Sequence, residues 1–210
     1  MDIEWRGDSS FVLRTQGCTV LVDPGVGGAS ADIPADIVIL SRRDEADPGC
    51  ASASSPSGAF VIDGPGEYEI GGVFVIGKRI GGSRGGKGAS GQVTGYVVDA
   101  DDVTVCHLGG LSEVPAPEHL EALGPVDVLL VPVGGGPTLG ASEAVEVVGQ
   151  VEPSIIVPAR YAVSDGGEME TVDRFLSEIG AESPEQLDVL EASATKLPLE
   201  PKVVLLRPRS

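Results

Sequence analysis

Histidine is nearly absent from this chain: His107 and His119 are the only two in 210 residues. A hydrolytic zinc site ordinarily takes three protein ligands, mostly imidazole, and leaves a further position for water. Two histidines and three scattered cysteines make that set hard to assemble. Cys18, Cys50 and Cys106 are odd in number and widely spaced, so they suggest neither a disulfide framework nor a Cys-x-x-Cys site. Aromatic residues are also scarce, at 4%, so the core must be built from Val, Ala, Leu and Ile. Basic residues number 14 against 32 acidic ones, for a formal charge of −18. Such a surface repels nucleic acid and anionic membrane, and neither is expected as a partner. No basic stretch followed by an apolar one opens the chain, and no apolar run is long enough to span a bilayer. The expectation is a cytoplasmic protein, with a homo-oligomer as the association left open.

What the chain does contain is apolar β-forming segments and turn residues. The apolar share of 41% suffices for a sizeable core, and the length fits a single domain over residues 1–210. Thirty glycines and sixteen prolines imply many tight turns. Short segments rich in Val, Ile or Phe and bounded by Gly, Pro or Asp predict strands at 3–5, 11–14, 19–23, 36–40, 59–63, 73–80, 94–99 and 103–107. Ala100, Asp101 and Asp102 supply a hairpin turn between the last two. The second half alternates. Helices are predicted at 117–123, 142–151 and 169–179, from apolar spacing and from Gly124 and Gly180 as stops. Buried strands are predicted at 126–133, 154–157 and 203–206. Segments 43–58 and 81–91 read as loops. Strands first and strand–helix alternation later fit an α/β fold with helices outside a layered sheet sandwich.

Gly81 to Lys87 satisfies the phosphate-cradling pattern G-x-x-x-x-G-K. The residue that should hold magnesium is Gly88, and a strand follows where a helix should open, so the pattern reads as a surface loop. Ser9 and Ser10 have no His-based triad. Asp63, Glu67 and Glu69 have the composition of an acid/base set. Cys106 reads as a small core residue, His119 as a surface residue and Cys50 as an unactivated loop thiol.

Several segments, in order, resemble the metallo-β-lactamase superfamily, in its lactonase-like, zinc-dependent hydrolase branch. They are residues 3–11 (Ile-Glu-Trp-Arg-Gly-Asp-Ser-Ser-Phe), Val22-Asp23-Pro24, the 36–41 strand ending in Ser41, residues 62–73 (Ile-Asp-Gly-Pro-Gly-Glu-Tyr-Glu-Ile-Gly-Gly-Val), Cys106-His107-Leu108-Gly109-Gly110-Leu111, residues 123–135, and Ile155 to Tyr161. The resemblance implies a four-layer αββα sandwich. It also implies structural roles in a turn and an edge for Asp63, Glu67 and Glu69, and a metal site whose ligand positions this chain fills differently. Arg42-Arg43-Asp44-Glu45-Ala46-Asp47 stands where the family has His-x-His-x-Asp-His. Gly110 stands for the aspartate of His-Leu-Gly-Asp-Leu, Arg160 for the last histidine and Asp8 for the opening one. The middle histidine falls within 81–83.

Family catalysis depends on metal-activated water, and guanidinium is always protonated and offers a metal no lone pair. Asp8, Arg42, Asp44, Asp47, His107, Gly110 and Arg160 therefore mark the former ligand region, with arginines neutralising carboxylates in place of a cation. His107 is expected to be a packed or hydrogen-bonded histidine and not a ligand. The leading expectation is a non-catalytic member of the fold, a binding or assembly module with no cofactor. The alternative is a divergent metal-dependent hydrolase in which Asp44, Asp47 and His107 hold Mg²⁺ or Mn²⁺ weakly and the arginines grip a phosphate or carboxylate. A third reading is a metal-free anion pocket of Arg42, Arg43 and Arg160.

Overall fold

The structure, a computed structural model, describes residues 1–25, 33–42, 58–82, 92–163 and 169–209. Its strands form two sheets. The first contains β1 (Asp2–Trp5), β2 (Phe11–Arg14), β3 (Thr19–Val22), β4 (Ile37–Ile39), β5 (Phe60–Ile62) and β13 (Leu190–Glu191), in the order β13-β1-β2-β3-β4-β5. The second contains β6 (Gly66–Ile70), β7 (Val73–Gly82), β8 (Gln92–Ala100), β9 (Val103–His107), β10 (Val128–Pro132), β11 (Ile155–Ala159), β12 (Glu185–Leu187) and β14 (Lys202–Leu206), in the order β12-β14-β11-β10-β9-β8-β7-β6. Three helices, α1 (Pro117–Glu121), α2 (Ala141–Val151) and α3 (Asp173–Ile179), complete the described regular elements together with a short 3₁₀ turn at Ala194–Lys196.

Alternation along the strands explains the layering. In β10 every residue is buried, yet the two faces serve different cores. Val128 and Leu130 enter the cluster shared with Ile3, Trp5, Phe11 and Val22 of the other sheet. Leu129 and Val131 enter the cluster shared with Val147 of α2 and Phe175 of α3. A strand buried on both faces reads as a continuous apolar run, which is why this segment stands out in the sequence. The two sheets therefore pack face to face with helices outside the larger one, the mixed α/β sandwich expected of the metallo-β-lactamase fold.

Local chemistry sets the element ends. Asp101 and Asp102 both take left-handed backbone, with φ of +54° and +59°, as a two-residue hairpin between twisted strands requires. Glu143 accepts the Gly140 N–H at 2.8 Å and caps the start of α2. Gly180, at φ +76°, ends α3. The third predicted helix is shorter than its apolar spacing suggests, beginning at Asp173 instead of 169. The edge strands β6, β12 and β13 were not anticipated. Each has exposed or half-buried positions and lacks the apolar run that marks a central strand.

Parallel pairing carries the architecture to the site. β3, β4 and β5 run parallel, as do β9, β10, β11 and β14. The carboxyl ends of β3, β4, β9 and β11 thus point to one rim, where open α/β sheets place ligands. Among the described residues no helix is long and apolar enough to cross a membrane.

Candidate functional site

Asp23, just after β3, is the organising group of this rim. Its Oδ1 accepts the Ser41 N–H at 2.7 Å and its Oδ2 accepts the Ser41 hydroxyl at 2.6 Å. Nε2 of His107, at the end of β9, lies 2.9 Å from the same Oδ2. Burial works against the Asp23 carboxylate, but hydrogen bonding and charge interaction with His107, joined by the two Ser41 bonds, outweigh it and hold its pKa below the usual carboxylate range. His107 is 2% exposed and lies edge-on to Phe11. Its other nitrogen, Nδ1, is buried and has no hydrogen-bond partner among the described residues. Ser and His here share one oxygen of the Asp, so the set is not a Ser–His–Asp relay: His107 does not reach the hydroxyl through its own nitrogen. It is a clamp that joins β3, β4 and β9.

Above the clamp lie Gly109 and Gly110. Gly109 has φ +58°, and a Cβ there would collide with the Ser41 side chain. A Cβ on Gly110 would come within 2.5 Å of Nη1 of Arg160 and 3.5 Å of Nε of Arg42. The Arg160 guanidinium thus fills the volume that a side chain at 110 would need, with Arg42 beside it. Arg160 follows β11 directly and is only 12% exposed along its side chain. Its backbone N–H donates to the Asp8 carbonyl at 3.1 Å, and Trp5 Nε1–H donates to the same carbonyl at 3.0 Å. Arg160 Nε is 3.0 Å from Asp8 Oδ1 as an ion pair, yet this buried Nε makes no hydrogen bond among the described residues. Asp8 is 55% exposed, so the attraction is screened.

Backbone strain gathers at the same rim. Asp8, Asp23 and Arg160 have φ of +47°, +43° and +51°. Left-handed backbone at a residue other than glycine costs on the order of 1–3 kcal/mol and is typical of functional positions. At Arg160 it turns the guanidinium inward over Gly110.

The structure therefore brings together Asp8, Arg42, His107, Gly110 and Arg160 of the residues singled out from the sequence. Asp44 and Asp47, and Arg43 of the anion-pocket reading, lie outside the described residues. His107 is packed and hydrogen-bonded, as expected. His119 lies exposed on α1 and Cys106 is buried in β9. Asp23 and Ser41 were missed as site residues. Their signal was the Val22-Asp23-Pro24 strand end and the serine closing the next strand, which carry no chemistry until the sheet pairs them.

The donor set decides whether the described residues fit a metal ion. Among them, no group of three His, Cys, Asp or Glu is placed to hold one. Asp23 has both oxygens engaged, and a cation above Gly110 would face two guanidinium groups. The described residues do not complete a metal centre.

Comparison with known proteins bears on the same point. The family model described as "Beta-lactamase superfamily domain" matches residues 2–160. A UPF0173 metal-dependent hydrolase of Pyrococcus horikoshii is 39% identical over 98 residues, which cover 46% of this chain and 44% of that one, so the match spans less than half the relative's length. A UPF0173 protein of Pyrococcus furiosus is 30% identical over 178 residues, covering 77% of this chain and 83% of the relative. The crystal structure of a candidate Zn-dependent hydrolase of the metallo-beta-lactamase superfamily from Thermotoga maritima is 31% identical, covers 98% of this chain and 97% of its own, and superposes with a TM-score of 0.77. These relatives overturn one expectation. A protein without a cofactor was anticipated, but the names of its relatives specify a metal. They also favour the hydrolase alternative over the non-catalytic module. With a family model covering most of its length, the chain belongs to the beta-lactamase superfamily, and within it to the UPF0173 proteins.

Proposed function

We propose that this chain is a divergent metal-dependent hydrolase of the superfamily with a rebuilt site, in which Arg160 and Arg42 grip the anionic group of the substrate, a phosphate or a carboxylate. One observation carries the proposal: the Arg160 guanidinium, largely buried, lies over Gly110 and beside Arg42. Guanidinium is permanently charged and matches carboxylate and phosphate oxygens in a two-pronged geometry. Support for hydrolysis comes from the family and from the names of the relatives. The metal they call for would supply a polarised, deprotonated water. Asp44 and Asp47 are the carboxylates the sequence offers as its oxygen donors, and both lie outside the described residues.

The chain's own residues do the following. Arg160 and Arg42 bind and orient the anion and offset charge that builds on it. Asp8 holds Arg160 from behind. The Asp23–Ser41–His107 clamp keeps the Ser41 and Gly109 backbones at the floor of the site. The test is turnover of a panel of phosphate esters and lactones by protein supplied in turn with Zn²⁺, Mn²⁺ and Mg²⁺. Metal-dependent hydrolysis that inorganic phosphate inhibits is expected. Stoichiometric phosphate binding with no turnover under any metal would overturn the hydrolase and leave a binding module.

A further inference from the structure

A second concavity, of about 340 Å³, opens on the same rim. Ser41 belongs to both places: its side chain packs against Gly109, and it lines this concavity. The floor is Ser41 and Thr94, joined by the Thr94 N–H donating to the Ser41 carbonyl at 2.9 Å. One wall is the turn around Gly64. It is fixed by the hydroxyls of Tyr68 and Tyr96, which both donate to the Gly64 carbonyl, at 3.1 and 3.2 Å. The other wall is Arg79 and Gln92. Arg79 and Thr94 are register partners in the β7–β8 ladder, so Arg79 stands on the face that Thr94 presents to the floor.

The charge at this wall is unusual for the molecule. Acidic residues outnumber basic ones 32 to 14, and an exposed cation on such a surface ordinarily finds a carboxylate. The neighbouring Lys78 does so, pairing with Glu67 at 3.9 Å. Arg79 makes no ion pair among the described residues. The carboxylate in the lining, Asp63, has an interaction of its own. A volume of this size suits a small molecule, since ligand pockets start at roughly 300 Å³. Through Ser41, the concavity that Arg79 lines adjoins the place where Arg42 and Arg160 lie over Gly110.

We infer that this concavity is a second anion subsite, and that the substrate is a small molecule with two anionic ends, one at Arg79 and the other at Arg160. The inference rests on the proposed anion grip of Arg160 and adds the substrate class. Calorimetric titration of the intact protein with acetate, succinate, glutarate and inorganic phosphate tests it. The better of the two dicarboxylates binds at least tenfold more tightly than acetate. Arg79→Gln, an exposed substitution that leaves the fold intact, removes that advantage while phosphate affinity stays within twofold, and Arg79→Lys restores part of it. Equal affinity for acetate and both dicarboxylates, or an advantage that survives in Arg79→Gln, overturns the subsite. If Arg160→Gln leaves dicarboxylate and phosphate binding untouched while Arg79→Gln abolishes the advantage, the grip of Arg160 is wrong and Arg79 stands as an anion site on its own.

Discussion

Replacing Asp23 by alanine removes the acceptor for three hydrogen bonds of 2.6 to 2.9 Å. Bonds to a charged partner contribute about 1.5–3 kcal/mol each, and they do not add fully because all three meet at one carboxylate. The donors left behind are sealed in: Ser41 and His107 are each 2% exposed, so water cannot take over. The Nδ1 of His107 already lacks a partner among the described residues, so the imidazole would lose the one described for it. A loss of about 3–5 kcal/mol follows, less than the sum of the three bonds and with buried donors left unpaired. In a domain of this size each kcal/mol moves the melting temperature by about 2–4 °C, which places the shift at roughly 6–20 °C. Urea denaturation and calorimetry both report it. The pH dependence carries the same signature. Because the folded pKa of Asp23 lies below its unfolded value, its contribution is present above the ordinary carboxylate pKa of about 3.9 and is lost as pH falls through the lowered folded value. Asp23→Ala loses that part of the acid dependence. A loss below about 1 kcal/mol in Asp23→Ala would refute the clamp.

Two further outcomes follow from the packing. Gly134→Ala places a Cβ against the carbonyl oxygen of Arg160 and 2.9 Å from the Cα of Tyr161; backbone cannot step aside as a side-chain tip can, so a destabilisation of about 3 kcal/mol is expected, and an unchanged urea midpoint would contradict it. Burial pushes the Cys106 thiol up to about 12, so alkylation at pH 8 followed by peptide mapping finds Cys106 unmodified in the folded protein and modified in urea; labelling of the native protein at Cys106 would contradict its place in the core.

Strands with an unbroken apolar run were legible at once. Val128–Pro132 and Ile155–Ala159 lie inside or beside their predicted ranges because burial on both faces leaves no polar position to confuse the pattern. Gly66–Ile70 was read as turn and edge because Glu67 and Glu69 point outward on a strand with one neighbour, and pairing there is decided by β7 and not by the segment itself. The first turn of the third helix failed for a related reason. Met169 and Val172 continue the apolar spacing, but the Glu170 N–H is drawn to the Gly134 carbonyl at 2.7 Å, a tertiary bond that spacing does not report. At the candidate site, order along the chain singled out Asp8, His107, Gly110 and Arg160, because each sits in a recognisable segment. Asp23 and Ser41 lie 18 residues apart in sequence and acquire meaning only when β3 and β4 pair. The ligand positions alone led to the expectation of no cofactor; the names of the relatives point to a metal instead.

The most direct test of the rebuilt site compares the wild-type protein with Arg160→Gln in metal-supplied turnover of the best phosphate ester or lactone in the panel, with inorganic phosphate as inhibitor. The account predicts that Arg160→Gln weakens phosphate inhibition at least tenfold, a loss of about 1.4 kcal/mol, and raises KM by a similar factor. Unchanged KM and unchanged phosphate inhibition in Arg160→Gln would contradict it.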